Sequence, residues 1–240
     1  MKQLALLDEQ ANRTPAPTLD DFVERLRGAE RPVILLEGTR ELPPSDRPAL
    51  VALARLLANR LPSATFRTGG AAGSDDAFAE GVRAVDPRRI EYVLPQPEHR
   101  SCARHSASPT YSLDDLDDTR LRFIADRTAT ASPKYGSMTR YFIRERDNSA
   151  LSIKTRYLLR DTLKVAGSPE QGLRPAAAGL FYVNEADPLS GGTGHTIRVS
   201  QRTGIPVFYQ CHWRAWVAAG GSATDTRSNP VMEAPIFKQP

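Results

Sequence analysis

Residues 32–38 read Pro-Val-Ile-Leu-Leu-Glu-Gly, and residues 90–95 read Ile-Glu-Tyr-Val-Leu-Pro. Each is a compact apolar run closed by a chain breaker, the pattern of a strand buried on both faces of a parallel sheet. Between them, residues 47–60 (RPALVALARLLANR) carry apolar side chains at helical spacing, with Pro48 suited to a first turn. Ala64-Thr-Phe-Arg67 is a further strand candidate. It runs into Thr68-Gly-Gly-Ala-Ala-Gly-Ser-Asp-Asp76 and a helix from about 74 to 85. Residues 32–95 therefore read strand–helix–strand–glycine loop–helix–strand, which argues for an α/β fold on a parallel sheet.

The flanks follow from the same reading. Residues 1–20 read as a loosely attached arm broken by Pro15 and Pro17, followed by a short helix to Gly28 that Asp20 or Asp21 can cap. Residues 96–148 are polar and lack clear periodicity. They read as a short helix near 113–118, a strand at 121–125 and then a loop insertion. Residues 149–166 form the best helix of the second half, 179–183 a strand, about 193–203 a helix, and 205–209 the last core strand. Organisation is thus expected as an arm and helix over 1–30, one domain over 31–216 with its insertion, and a tail over 217–240 that wraps the surface or frays.

Charge is distributed unevenly. The net charge is +4, with 32 Lys+Arg against 28 Asp+Glu. Residues 1–120 hold 16 basic and 19 acidic residues, whereas 121–240 hold 16 and 9; the excess sits mainly in 120–164, with 11 basic and 4 acidic. No run approaches the roughly 20 apolar residues of a membrane span. The first residues carry no apolar core of a secretory signal. Two cysteines, Cys102 and Cys211, make no disulfide framework. A cytoplasmic protein without a membrane partner is the expectation.

Two glycine punctuations stand out, Gly69-Gly70-Ala-Ala-Gly73-Ser74-Asp75 and Gly191-Gly192-Thr193-Gly194-His195-Thr196. Each follows a strand and precedes a helix. Glycine lets the backbone turn sharply and approach a ligand, and the free N–H groups of a helix start suit phosphate. Strand ends of a parallel sheet share one edge, so both loops are expected to line one crevice. No Lys follows the first loop as in a Walker A motif, and its spacing is not the dinucleotide fingerprint.

Together with Leu36-Glu-Gly38-Thr39-Arg40, these two motifs resemble the SLOG superfamily, which joins DprA/Smf-like, LOG-like and YspA-like proteins. The resemblance covers roughly residues 30–212, without the 96–148 region. It implies a Rossmann-like three-layer sandwich with a mostly parallel sheet and an inserted loop-rich region. It also implies glycine loops that bind a nucleotide or nucleotide-derived small molecule, with a homodimer as the expected assembly. LOG enzymes carry Pro-Gly-Gly-x-Gly-Thr-x-x-Glu; here Ser190 stands for the Pro, His195 for the Thr and Arg198 for the Glu. An Arg cannot serve as the carboxylate that supports an oxocarbenium-like centre.

The ligand-binding candidates are therefore Gly38, Thr39, Arg40, Gly69, Gly70, Gly73, Ser74, Asp75, Asn184, Gly191, Gly192, Thr193, Gly194, His195, Thr196 and Arg198. If the protein is a nucleotide N-glycosidic hydrolase, Glu185 and Asp187 at a strand end are the candidate acid and base. A third reading, ranked behind, is a DprA-like nucleic-acid surface using Arg140, Arg144, Arg156 and Arg160, with Tyr135, Tyr141, Phe142 and Tyr157 interleaved. His99, Cys102 and His105 lack a second paired knuckle, so no metal is expected, and no cofactor is implied. Trp213 and Trp216, at helical spacing, read as core anchors.

Overall fold

The computed structural model describes residues 17–223. The elements run α1 (Leu19–Arg27), β1 (Val33–Gly38), α2 (Arg47–Arg60), β2 (Thr65–Thr68), α3 (Ser74–Arg83), β3 (Ile90–Leu94) and β4 (Thr110–Ser112). They continue with α4 (Asp118–Ala131), α5 (Gly136–Glu145), α6 (Ala150–Ala166), β5 (Ala178–Tyr182), α7 (Gly191–Arg202), β6 (Val207–Phe208) and α8 (Gln210–Ala223). The six strands form one sheet in the order β4-β3-β2-β1-β5-β6, and every pairing is parallel. Helices cover both faces, as the apolar strand runs require.

Side-chain alternation sorts the two faces. Ile34, Leu36, Phe66, Ile90, Tyr92, Leu180 and Phe208 pack with α1, α2, α3 and α8 in one cluster. Leu35, Val93 and Phe181 point the other way, into clusters built with α4, α5, α6 and α7. The same alternation sends Glu37, Arg67 and Glu91 to the second face, all buried. Trp213 and Trp216 are buried against the first face, beside Phe78 and Phe22. α1 joins that cluster through Phe22, Val23 and Leu26. Its cap is Thr18, whose hydroxyl accepts from the Asp21 N–H while the Asp21 carboxylate accepts from the Thr18 N–H. Residues 1–16 and 224–240, which hold most of the expected arm and tail, lie outside the described residues; 217–223 continue α8.

The region 96–148 differs from the loop-rich expectation. Residues 121–125 are helix rather than strand. Leu121, Ile124, Ala125 and Thr128 are buried at helical spacing, and Asp117 caps the start by accepting from the Arg120 N–H at 2.7 Å. Phe123 obscured that period: it is exposed, between the Arg120 and Arg127 guanidiniums. The short helix expected near 113–118 shrinks to one helical turn at Leu113–Asp115, and Thr110–Ser112 adds an edge strand. Among the described residues no helix is long and apolar enough to cross a membrane.

α2 and α3 cross where a glycine permits it. A Cβ at Gly81 would stand 2.3 Å from the Val51 carbonyl oxygen and 2.7 Å from the Ala54 Cβ. Gly81→Ala is expected to cost about 1–3 kcal/mol through overpacking. That loss should be read as a lower urea midpoint at unchanged slope. An unshifted midpoint would show that the helices have room to spare.

Candidate functional site

The chain leaves β1 outward through β2, β3 and β4, then returns to β5 on β1's other side. That reversal opens a crevice at the carboxyl ends of β1 and β5. A cleft of about 760 Å³ lies there. Glu37 and Gly38 line it from the end of β1 and Thr39 to Glu41 from the turn after it, Val183 and Asn184 from just past β5, Asp75 from α3, and Ser190 to Thr193 from the start of α7. α6 contributes Lys154, Tyr157, Arg160, Asp161 and Lys164, while His99, Arg100 and Tyr135 close the sides.

The floor is a buried charge cluster. Lys164 Nζ is 2.6 Å from Glu37 Oε2 and 2.8 Å from Asp161 Oδ1. Arg160 Nε is 3.0 Å from Asp161 Oδ1, and its Nη1 donates to the Gly69 carbonyl at 2.6 Å. The Asp75 carboxylate accepts from the Gly38 and Ala71 N–H groups. Burial pushes the Glu37 carboxyl up to about 7 against the pull of Lys164, with Asp75 and Asp161 adding repulsion. Burial likewise raises Asp75, opposed by Lys164 and Arg160. For Asp161 burial acts in the same direction, yet Lys164 and Arg160 outweigh it and hold the carboxyl below its ordinary value.

The two glycine loops differ in what their backbone does. The first spends its donors internally. The Gly70 N–H bonds the Thr68 hydroxyl, the Ala71 N–H bonds Asp75, and the Ser74 N–H and hydroxyl both bond the Thr39 carbonyl. Its glycines serve close approach: a Cβ on Gly69 would meet the Arg160 guanidinium at 2.0 Å, and one on Gly73, at φ +80°, the Arg40 carbonyl oxygen at 2.3 Å. The N–H groups of Gly70, Ala71 and Ser74 are therefore spent on holding the loop together, and Gly69 and Gly73 make room for Arg160 and the Arg40 backbone. The second loop lines the cleft with Gly191, Gly192 and Thr193, the first turn of α7, where helix N–H groups have no intrahelical acceptor. The Thr193 hydroxyl donates to the Gly38 carbonyl at 3.0 Å, seating that turn on the end of β1. Gly194 lies deeper, where a Cβ would meet the Leu189 carbonyl.

Several expected site residues sit elsewhere. His195 is fully buried behind the cleft, with Nδ1 2.8 Å from the Ser132 hydroxyl and Nε2 3.1 Å from the Thr162 hydroxyl. Burial lowers it to about 4, so it is a neutral core residue. Thr196 is buried and bonds the Gly192 carbonyl. Arg198 donates to the Ser132 hydroxyl and the Leu189 carbonyl, bracing the loop from below. Asp187 lines the mouth, Glu185 does not, and neither belongs to the floor cluster. Asn184 lines the cleft and also forms an Asx-turn, its side-chain oxygen accepting from the Ala186 N–H.

The four candidate nucleic-acid arginines separate. Arg140 and Arg144 line a second cleft of about 560 Å³ with Arg122. Arg156 pairs with Asp114 at 2.7 Å, and Arg160 is buried in the floor. Reading the sequence missed Glu37 and Asp161 as site residues, and with them the buried pairing of Lys164. The available signal was a carboxylate ending an apolar strand, together with an acid and a base one helical turn apart. Among the described residues no three His, Cys, Asp or Glu side chains gather as a metal site.

No protein-family model matches the chain, and no curated protein matches it. A solved structure of DNA processing protein A from Helicobacter pylori, described for its single-stranded DNA binding mode, is similar over 78% of this chain and 67% of that one. The identity is 15% and the TM-score 0.44.

The floor makes stability depend on pH in a definite direction. Glu37 holds its proton to about pH 7 when folded but, from 4.5, releases it earlier when unfolded. Its contribution therefore favours the folded state below pH 4.5 and is lost as pH rises through 7. His195 runs oppositely: its contribution is present above 6.5 and lost as pH falls toward 4. Comparing Glu37→Gln with wild type isolates the first effect. Between pH 5 and pH 8 the variant's stability relative to wild type should improve by about 2 kcal/mol, measured by urea unfolding. Parallel profiles would mean that Glu37 titrates normally.

Proposed function

We propose that the cleft binds a nucleotide or nucleotide-derived ligand, with its phosphate against the first turn of α7 and the rest over the floor. The observation that carries this reading is the division of charge across the cleft. The floor carries the carboxylates of Glu37, Asp75 and Asp161 against two cations, Arg160 and Lys164. The mouth carries the exposed Arg40 and Lys154 beside the open helix start, balanced by the exposed carboxylates of Glu41 and Asp187. With the mouth's side chains balanced, an anion is favoured there by the free N–H groups and dipole of α7, with Arg40 and Lys154 within the same lining, and disfavoured over the floor carboxylates. A molecule with an anionic end and a neutral, hydroxyl-rich remainder meets both demands. The likeness of the glycine motifs to the SLOG superfamily supports the same choice.

A panel of nucleoside monophosphates is expected to include one that raises the melting temperature. At a hundredfold excess over Kd the gain is about 2.7 kcal/mol, or several degrees for a chain of this size. Gly192→Asp, which sets a carboxylate beside Asp161 in the first turn of α7, should abolish the shift while circular dichroism stays native. A shift that survives in a folded variant would move the site elsewhere.

A second reading rests on the outer helices. The cleft lined by Arg122, Arg140 and Arg144 lies on α4 and α5, and Phe123 stands exposed between Arg120 and Arg127. Cations beside an accessible aromatic ring suit single-stranded nucleic acid. On this reading oligo(dT) affinity falls linearly on a log–log plot against salt, and Phe123→Ala weakens it several-fold. Salt-insensitive binding, or none, overturns it.

A further inference from the structure

Glu37 is 3% exposed and lines the cleft, yet only half of its carboxylate is occupied. Oε2 receives the Lys164 ammonium at 2.6 Å, whereas Oε1 is buried without a hydrogen-bond partner among the described residues. A buried acceptor left unmade is costly, and native proteins rarely keep one without a use. The groups around it are Lys164, Asp161 and Arg160 from α6 and Asp75 from α3. With all five ionised, three carboxylates against two cations leave one negative charge. Such a floor repels an anion and attracts a donor.

The donor's place in the ligand follows from the loop geometry. The Thr193 hydroxyl bonds the carbonyl of Gly38, the residue after Glu37. A Cβ on Gly192 would come 3.0 Å from Asp161 Oδ2. The first turn of α7 thus lies at the edge of the floor, nearest Asp161 and the residue after Glu37, and a ligand whose anionic end is held by that turn extends its next group over the floor carboxylates, Glu37 among them. In a nucleotide the group next to the phosphate is the sugar, and the base lies farther away.

We propose that Glu37 is a specificity-determining residue whose Oε1 accepts a hydrogen bond from a sugar hydroxyl, so that the cleft selects ribonucleotides over their dideoxy counterparts. This rests on the nucleotide reading above. The acceptor is the ionised carboxylate, so binding draws a proton off Glu37. The carboxyl, raised to about 7 by burial, then makes affinity climb with pH.

The test uses the full chain, the ribonucleoside 5′-monophosphates and their 2′,3′-dideoxy forms, with affinities from isothermal titration calorimetry. Wild type is expected to bind its preferred ribonucleotide about tenfold or more tightly than the dideoxy form. That affinity should rise about tenfold from pH 6 to pH 8, with protons released in buffers of differing ionisation enthalpy. Glu37→Gln should lose the pH dependence and weaken the discrimination, a neutral amide replacing the charged acceptor, while still binding the dideoxy form, a pattern that general unfolding would not produce. The wild-type series stands alone if the variant does not fold. Equal affinity of wild type for the two sugars, or affinity flat with pH, overturns the role of Glu37 alone. Absence of binding by every monophosphate overturns the nucleotide reading, and this inference with it.

Discussion

An ammonium group inside the protein organises much of this molecule. Lys164 is 2% exposed and lies between Glu37 at the end of β1 and Asp161 one turn back on its own helix. Its backbone is held as well: the buried Arg67 of β2 donates to the Lys164 carbonyl and to the Arg174 carbonyl, and pairs with Glu91 of β3. α6 is therefore tied by charged groups to two central strands, β1 and β2, in addition to its apolar packing. Removing one partner of a buried pair leaves an uncompensated charge and costs about 3–5 kcal/mol, whereas replacing the whole set with apolar residues is often neutral. Such a cluster is weak support for stability as its own purpose. It lies beneath a cleft with one carboxylate oxygen unsatisfied, and the proposed ligand contact is built on that.

The two glycine loops show how one sequence pattern serves two physical ends. Around Gly69–Gly73 the missing side chains let the Arg160 guanidinium and the Thr39–Arg40 backbone come in close, and the Thr68 hydroxyl, the Asp75 carboxylate and the Thr39 carbonyl accept from the N–H groups of Gly70, Ala71 and Ser74. Around Gly191–Gly192 the backbone starts a helix at the cleft wall, and the deeper residues Gly194 to Thr196 lock it to the core. The first loop shapes the floor and the second forms a wall. His195 illustrates the same economy. At the end of a glycine motif it has the sequence position of a ligand contact, but two hydroxyls and burial make it a neutral strut.

Most of the fold was legible in the chain. The apolar runs at 32–38 and 90–95 became β1 and β3, and the periodic stretches at 47–60 and 149–166 became α2 and α6. Residues 118–145 were not legible, because α4 and α5 bury narrow faces and expose arginines around Phe123. The site was legible in outline only. The crevice at the strand ends follows from βα order, and Gly38, Thr39, Arg40, Asp75, Asn184 and Gly191 to Thr193 do line it.

The sequence by itself determined the order of strands and helices and the sharp turns between them, since side-chain periodicity and glycine act over a few residues. Only the tertiary structure decided the protonation chemistry. Whether Glu37, Asp161 and His195 are solvated surface groups or buried neighbours that shift one another depends on which distant segments exclude water around them. Burial and the sum of neighbouring charges are properties of the assembled sheet and its covering helices.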